Sequence, residues 1–305
     1  MKNFCRQNKV IFLPFLLLAG VFFMSCGLED TITVEPPTKR INDPLYSDTD
    51  YLNRYCGFKT EEDGNKDISF TGTEVYYKIY NNYSDLTSQR SAITSVNTTS
   101  NGTAAATKLI DTYTFQPLGI YPAVDGRSVF IDDETYDRTI IFRPKSYKNN
   151  PDYIGDDFET FRACVKFEGC LRAFVTVADP DTGGTKRLFK NVYYNSETSK
   201  WTYGDSNKYS GFTDEIDYSA IELCIPYRVG GKKSFDFFDD LNTSEDANTE
   251  PSQNDSDFYY NSSASAENTY YVQFFAVGVA FDSTSLITTY SLVLDLGSIA
   301  IIKDE

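Results

Sequence analysis

Histidine is absent from the 305-residue chain. Without an imidazole there is no Ser-His-Asp or Cys-His pair, no histidine-ligated zinc and no side chain whose ordinary pKa suits general-base work near neutrality. Methionine occurs only at Met1 and Met24, and tryptophan only at Trp201. The patterns G-x-S-x-G, G-x-x-x-x-G-K-[ST] and G-x-G-x-x-G are missing too, so nucleophile elbows and phosphate cradles have no support. Positive charge is scarce. With 28 Lys and Arg against 44 Asp and Glu, the formal net charge is −16, and no basic run interrupts the excess of acid. Such a field repels phosphate backbones and excludes nucleic acid as a partner.

The few cations that occur early are informative. Lys2, Arg6 and Lys9 precede an almost wholly apolar run from Val10 to Met24. This is the charged and then apolar order of a signal segment. The run is shorter than the ~20 residues that span a bilayer, and Pro14 lies within it, so a permanent transmembrane helix is not expected. It closes on Phe23-Met24-Ser25-Cys26-Gly27, which resembles the lipobox read by bacterial lipoprotein signal peptidase. The resemblance implies removal of residues 1–25 and acyl chains on Cys26 that dock in a lipid bilayer. Loss of three positive charges would move the net charge from −16 to −19.

Residues 26–47, broken by Pro36, Pro37 and Pro44, read as a tether leading into an edge strand. The body, 48–305, is long enough for one large domain or two interleaved sandwiches. The 46 Tyr and Phe of the chain, most of them in the body, favour pleated, half-buried surfaces. Strand-like runs are expected at Ile68–Tyr80, Thr112–Leu118, Arg127–Ile131, Arg138–Phe142, Arg162–Phe167, Leu171–Ala178, Arg187–Tyr194, Ala220–Tyr227, Tyr270–Phe281 and Leu286–Leu296. In the first of these, Val75, Tyr77 and Ile79 point to a core, while Glu74, Tyr76, Lys78 and Tyr80 point to water. Short helices are expected at Tyr83–Thr94 and Ala104–Thr112. Two polar stretches, 95–107 and 239–268, lack the apolar surface to offset ordering entropy and read as mobile loops.

Four cysteines remain in the body: Cys56, Cys164, Cys170 and Cys224. An even count in an exported chain suggests two disulfides, with Cys164–Cys170 closing a local loop and Cys56–Cys224 joining distant segments; buried thiols are the other reading. Paired acids at Asp132-Asp133-Glu134, Asp156-Asp157 and Asp239-Asp240 could serve a glycosidase, but acids on exposed turns are expected in so acidic a chain. Asp179-Pro180-Asp181-Thr182-Gly183-Gly184 offers alternate oxygens but lacks the closing Glu of a calcium loop, and reads as a hairpin turn. No catalytic residue, metal site or cofactor is assigned. Tyr193-Tyr194 and Tyr259-Tyr260 are candidate ligand platforms, because consecutive tyrosines in a strand place one ring on each face.

Two segments resemble a fibronectin type III module. Pro36-Pro37-Thr38 and Phe70-Thr71-Gly72-Thr73-Glu74-Val75-Tyr76-Tyr77 are similar to its proline-led first strand and its third strand. Tyr270-Tyr271-Val272-Gln273-Phe274-Phe275-Ala276-Val277, followed by Tyr290-Ser291, is similar to its last hairpin. The resemblance implies a mainly β, antiparallel sandwich of immunoglobulin/fibronectin type III kind, elaborated by long insertions. The lipobox, tyrosine-rich strands and acidic loops together resemble lipoproteins of Treponema-type spirochaetes. That likeness implies a non-catalytic cell-envelope protein on the outer membrane or cell surface, acting as an adhesion or interaction module toward a protein or glycan. A carbohydrate-active enzyme with paired carboxylates and a purely structural envelope protein are the alternatives.

Overall fold

Alternating apolar side chains draw most of the chain into strands, and the register of those strands decides which residues share a core. The computed structural model describes residues 33–47, 53–60, 65, 69–122, 138–146, 162–204, 214–228, 234–237, 250–264, 268–283 and 286–302. Cys26, residues 1–25, the strand expected at Arg127–Ile131 and the three acid clusters all lie outside these.

A nine-stranded sheet is formed by β1 (Lys39–Asn42), β2 (Cys56–Thr60), β5 (Arg138–Arg143), β6 (Cys164–Phe167), β7 (Cys170–Ala178), β8 (Thr185–Asn195), β9 (Lys200–Gly204) and β10 (Asp214–Ile216) in that spatial order, with β11 (Ile221–Leu223) beside β7. A six-stranded sheet runs β12 (Ile225–Arg228), β4 (Gln116–Tyr121), β3 (Phe70–Tyr80), β14 (Thr269–Asp282) and β15 (Ile287–Ile302), with β13 (Phe258–Tyr259) alongside β3. All pairings are antiparallel except β13 with β3. The protein is mainly β, as expected, and the two sheets pack face to face. Phe58, Ile140, Phe142 and Val165 of the larger sheet meet Tyr77, Ile79, Val272, Phe274 and Ile299 of the smaller. The Phe142 and Phe274 rings meet edge to face at 5.3 Å.

The outer face of the six-stranded sheet is also buried, which corrects the expectation that Tyr76, Lys78 and Tyr80 face water. Helix α1 (Tyr83–Thr94), the short α2 (Ala104–Thr107) and the π-turn Lys108–Thr112 cover it. Leu86, Ile93, Ala105, Ala106 and Leu109 pack against Tyr76, Tyr80, Phe275, Val277 and Val293. Period-two alternation cannot reveal this second cover, because aromatic and aliphatic residues occupy both faces of β14. Asn82 caps α1 by accepting from the Ser84 amide at 2.8 Å.

Segments expected to be loose are tied down in part. Asn97 makes a reciprocal pair with the Val293 backbone, donating at 2.8 Å and accepting at 3.0 Å. Residues 250–264 are held by β13 and by Asp257, which is fully buried. The second half of the expected tether belongs to the body: Val34 is buried, Glu35 N donates to Asn65 at 2.8 Å, and β1 pairs with β2. Two glycines of the last hairpin make room for it. A Cβ on Gly278 would lie 2.9 Å from Glu35 O, and one on Gly297, whose φ is +88°, would lie 2.6 Å from Pro44 O.

The expected disulfide framework is replaced by buried thiols. Between β6 and β7, Glu168 and Gly169 at φ +50° and +84° make a two-residue turn that sets Phe167 opposite Cys170. Cys164 therefore lies three residues, ~10 Å, along the strand from that pair and on the opposite face of the sheet, beyond the ~7 Å that a disulfide tolerates. Cys56 and Cys224 share the inter-sheet core as thiols. Burial pushes the Cys224 thiol up to about 12, with Arg172 and Arg187 opposing the rise and Glu222 adding to it. Cys224 also marks where the run Ala220–Tyr227, expected as one strand, crosses between sheets: its amide makes the last bond to β7, at Arg172 O, before β12 joins β4.

Candidate functional site

Trp201 is the centre of an open concavity among the described residues. Beyond β8 the chain reverses through Asn195, whose side chain accepts from the amides of Glu197 at 3.0 Å and Thr198 at 3.2 Å. Ser199, at φ +56°, completes the turn. The β8–β9 register then puts Tyr194 directly opposite Trp201, and β10 puts Ile216 on its other side. Next, the Asp217 carboxylate caps the short helix Tyr218–Ala220 by accepting from the Ser219 amide at 3.2 Å. That turn brings Tyr218 back over Trp201. The Trp201 ring thus lies between Tyr194, 5.4 Å away, and Tyr218, 5.5 Å away.

These aromatics and the rim residues Lys200, Glu215 and Asp217 line an open concavity of about 420 Å³. Trp201 itself is only 4% exposed and forms the floor, while Tyr194 and Tyr218 are half-buried walls. Burial raises the Tyr218 phenol above its usual range, and Arg162 pulls it back in part, so the ring is neutral at physiological pH. On the rim Lys200 and Glu215 form an ion pair with both side chains more than half exposed. Such a pair contributes ~0–1 kcal/mol to stability but presents a donor and an acceptor to a ligand.

Comparison with family models, with curated proteins and with solved structures gives no match. The chemistry must therefore be read from the groove. Both of its carboxylates are engaged, Glu215 with Lys200 and Asp217 with the Ser219 amide. They arrive on one strand and its following turn rather than from opposite walls. The arrangement suits recognition, with flat apolar rings below and hydrogen-bonding groups at the rim.

Of the two tyrosine pairs singled out in the sequence, Tyr194 enters the groove and its neighbour Tyr193 belongs to the other face of β8. Tyr259 and Tyr260 lie on β13 and just beyond it, and both remain exposed. The Asp179 turn is the expected hairpin connection: its carboxylate accepts from Thr182 at 2.8 Å and from the Asp181 amide at 3.3 Å. Among the described residues no cluster of three or more His, Cys, Asp or Glu could hold a metal ion. Sequence reading passed over Trp201, since a lone tryptophan carries no periodicity, and β9 and β10 are too short to register as strands.

Two further polar groups were also missed. Arg228, fully buried, makes a bidentate pair with Asp257 at 2.9 and 3.0 Å and reaches Asp255 at 2.8 Å; Tyr77 Oη donates to Asp257 at 2.6 Å. Lys78 lies under the helical cover with its ammonium directed to Tyr113 O and to Thr114 Oγ1, and burial lowers its pKa to about 8.

Proposed function

We propose that this chain is a lipid-anchored protein of the bacterial cell envelope, held by acyl chains on Cys26, that binds a glycan without chemical turnover through the Trp201 groove. The observation that carries the binding half is the Trp201 ring set between Tyr194 and Tyr218 at the floor of an open concavity with a charged rim. Sugar rings present flat C–H faces to aromatics and hydroxyls to rim charges, so both elements have a counterpart on a saccharide. The anchoring half rests on the lipobox-like sequence ending at Cys26. Outer-membrane or cell-surface placement is part of the same proposal.

The fibronectin type III likeness belongs to the same proposal. The third-strand-like segment in β3 and the last-hairpin-like segments in β14 and β15 are neighbours in one sheet, the arrangement of strands C, F and G in such sandwiches. The nine-stranded partner sheet and the helical cover would be elaborations on that frame.

Trp201 gives the test its own reporter, because it is the chain's single tryptophan. Titration of envelope oligosaccharides should shift or quench its emission saturably, and Tyr218→Ala should weaken binding at least tenfold without altering the far-UV spectrum. Emission indifferent to every saccharide tried, with a peptide pool producing the shift instead, would replace the glycan by a protein partner. Fatty-acid labelling of the natural protein and of Cys26→Ser tests the anchor separately.

A further inference from the structure

The β14–β15 hairpin ends in a tip whose large apolar side chains are exposed. Leu286 is 74% exposed, Ile287 58% and Phe281 38%. The register places Phe281 opposite Thr288 and Asp282 opposite Ile287, so Phe281 and Ile287 occupy opposite faces of the ribbon, with Leu286 at its end. Leu286 holds φ +59°, a left-handed conformation that a glycine or asparagine adopts at less cost. Residues 279–283 and 286–289 carry a single charged side chain, Asp282, in a chain of net charge −16. An apolar, nearly uncharged finger on so acidic a protein fits a neutral, apolar medium better than a charged partner.

Chain geometry says which medium. The body begins at Val34 and Glu35, which lie against Gly278 of β14. Gly278 is four residues, ~13 Å, from the end of that strand at Asp282. From Val34 back to Cys26 is eight residues, which can span at most ~29 Å. The chain thus joins the body beside the hairpin tip, within reach of the point where the anchor would be attached. By contrast, Leu45 follows Pro44, which contacts Gly297, ten residues or ~33 Å along β15 from Ile287.

We propose that Phe281, Leu286 and Ile287 insert into the interfacial region of the bilayer that carries the protein, as a second membrane contact that fixes the orientation of the body. The proposal rests on the lipid-anchor reading, and its occupant is a zwitterionic lipid surface.

The experiment uses the lipidated full-length protein, carrying Trp201→Phe to remove background emission, in phosphatidylcholine vesicles with and without bromine on carbons 6 and 7 of the acyl chains. Tryptophan is placed at Leu286 or, as a control, at Leu45. Leu286→Trp should be quenched at least twofold by the brominated lipid and shifted to the blue, with Leu45→Trp unchanged. In the natural background, Leu286→Ser with Ile287→Ser should leave flotation with vesicles intact and increase protease access to the hairpin severalfold. Equal, unquenched emission at both sites in protein that floats overturns the hairpin contact and leaves the anchor standing. Quenching at Leu286 in protein that takes no label on Cys26 overturns the anchor and keeps the hairpin. Neither label nor quenching overturns both.

Discussion

Replacing Asp257 by Asn removes one charge from a fully buried ion pair while preserving shape. In the native protein Arg228 and Asp257 are both fully buried, joined by two hydrogen bonds at 2.9 and 3.0 Å, and Asp257 also accepts from Tyr77. Breaking a buried pair by removing one partner costs about 3–5 kcal/mol, because the remaining charge is left in a medium that cannot solvate it. Here Asp255 still reaches the guanidinium at 2.8 Å and is partly solvated, which puts the expected cost near the low end, about 3 kcal/mol. For a body of this size that corresponds to a fall in Tm of about 6–12 °C. Urea unfolding at pH 7, followed by far-UV circular dichroism, measures it. The double variant Arg228→Met with Asp257→Leu, which removes both charges, should recover at least half of the loss, since no ion is then stranded. A single variant costing under about 1 kcal/mol, or a double variant as unstable as the two singles summed, would refute the argument that stranded charge sets the penalty.

Lys78→Met should alter how stability depends on pH. The folded-state pKa of about 8 lies below the unfolded value, so between pH 8 and 10.5 the unfolded chain binds more protons and the lysine's contribution rises with pH. Allowing for water that still reaches the ammonium, the wild type should gain about 2 kcal/mol on the Met variant across that window in paired denaturation curves; parallel curves would exclude the effect. Gly297→Ala meets both a left-handed φ and a carbonyl 2.6 Å from the new methyl group, and should cost about 2–3 kcal/mol in the same assay. Thiol reagents should label none of Cys56, Cys164, Cys170 and Cys224 in the native body and all four in denaturant; two disulfides found by mass spectrometry would contradict the thiol assignment.

Much of the architecture was legible because it depends on local pattern. The range of α1 matches the expected Tyr83–Thr94, β7 follows from alternation bounded by turn residues, and β14 stands out as a long apolar run. What could not be read depends on neighbours distant in sequence. The cover over Tyr76 and Tyr80 comes from helices whose weak amphipathy hides which face they bury. The separation of Cys164 from Cys170 depends on a turn that sets register, and spacing alone cannot reveal it. Arg228 and Asp257 look like surface residues until the fold encloses them together. The groove combines a tyrosine flagged by its neighbour with a tryptophan that nothing local distinguishes. Its third ring is positioned only by the Asp217 cap.

The pairing of β3 with β14 bears on how the protein is made. Thr71 Oγ1 donates to Val279 O across 208 positions of sequence, and β3 lacks its main partner until β14 is present. The centre of the six-stranded sheet is therefore among the last things that a chain emerging N-terminus first can build. Long-range pairings of this kind are slow to form, and β3, with aromatic side chains on both faces, is exposed to the wrong partners meanwhile. Such a chain keeps β3 open until almost its whole length has been made, a window in which a holding chaperone would protect it.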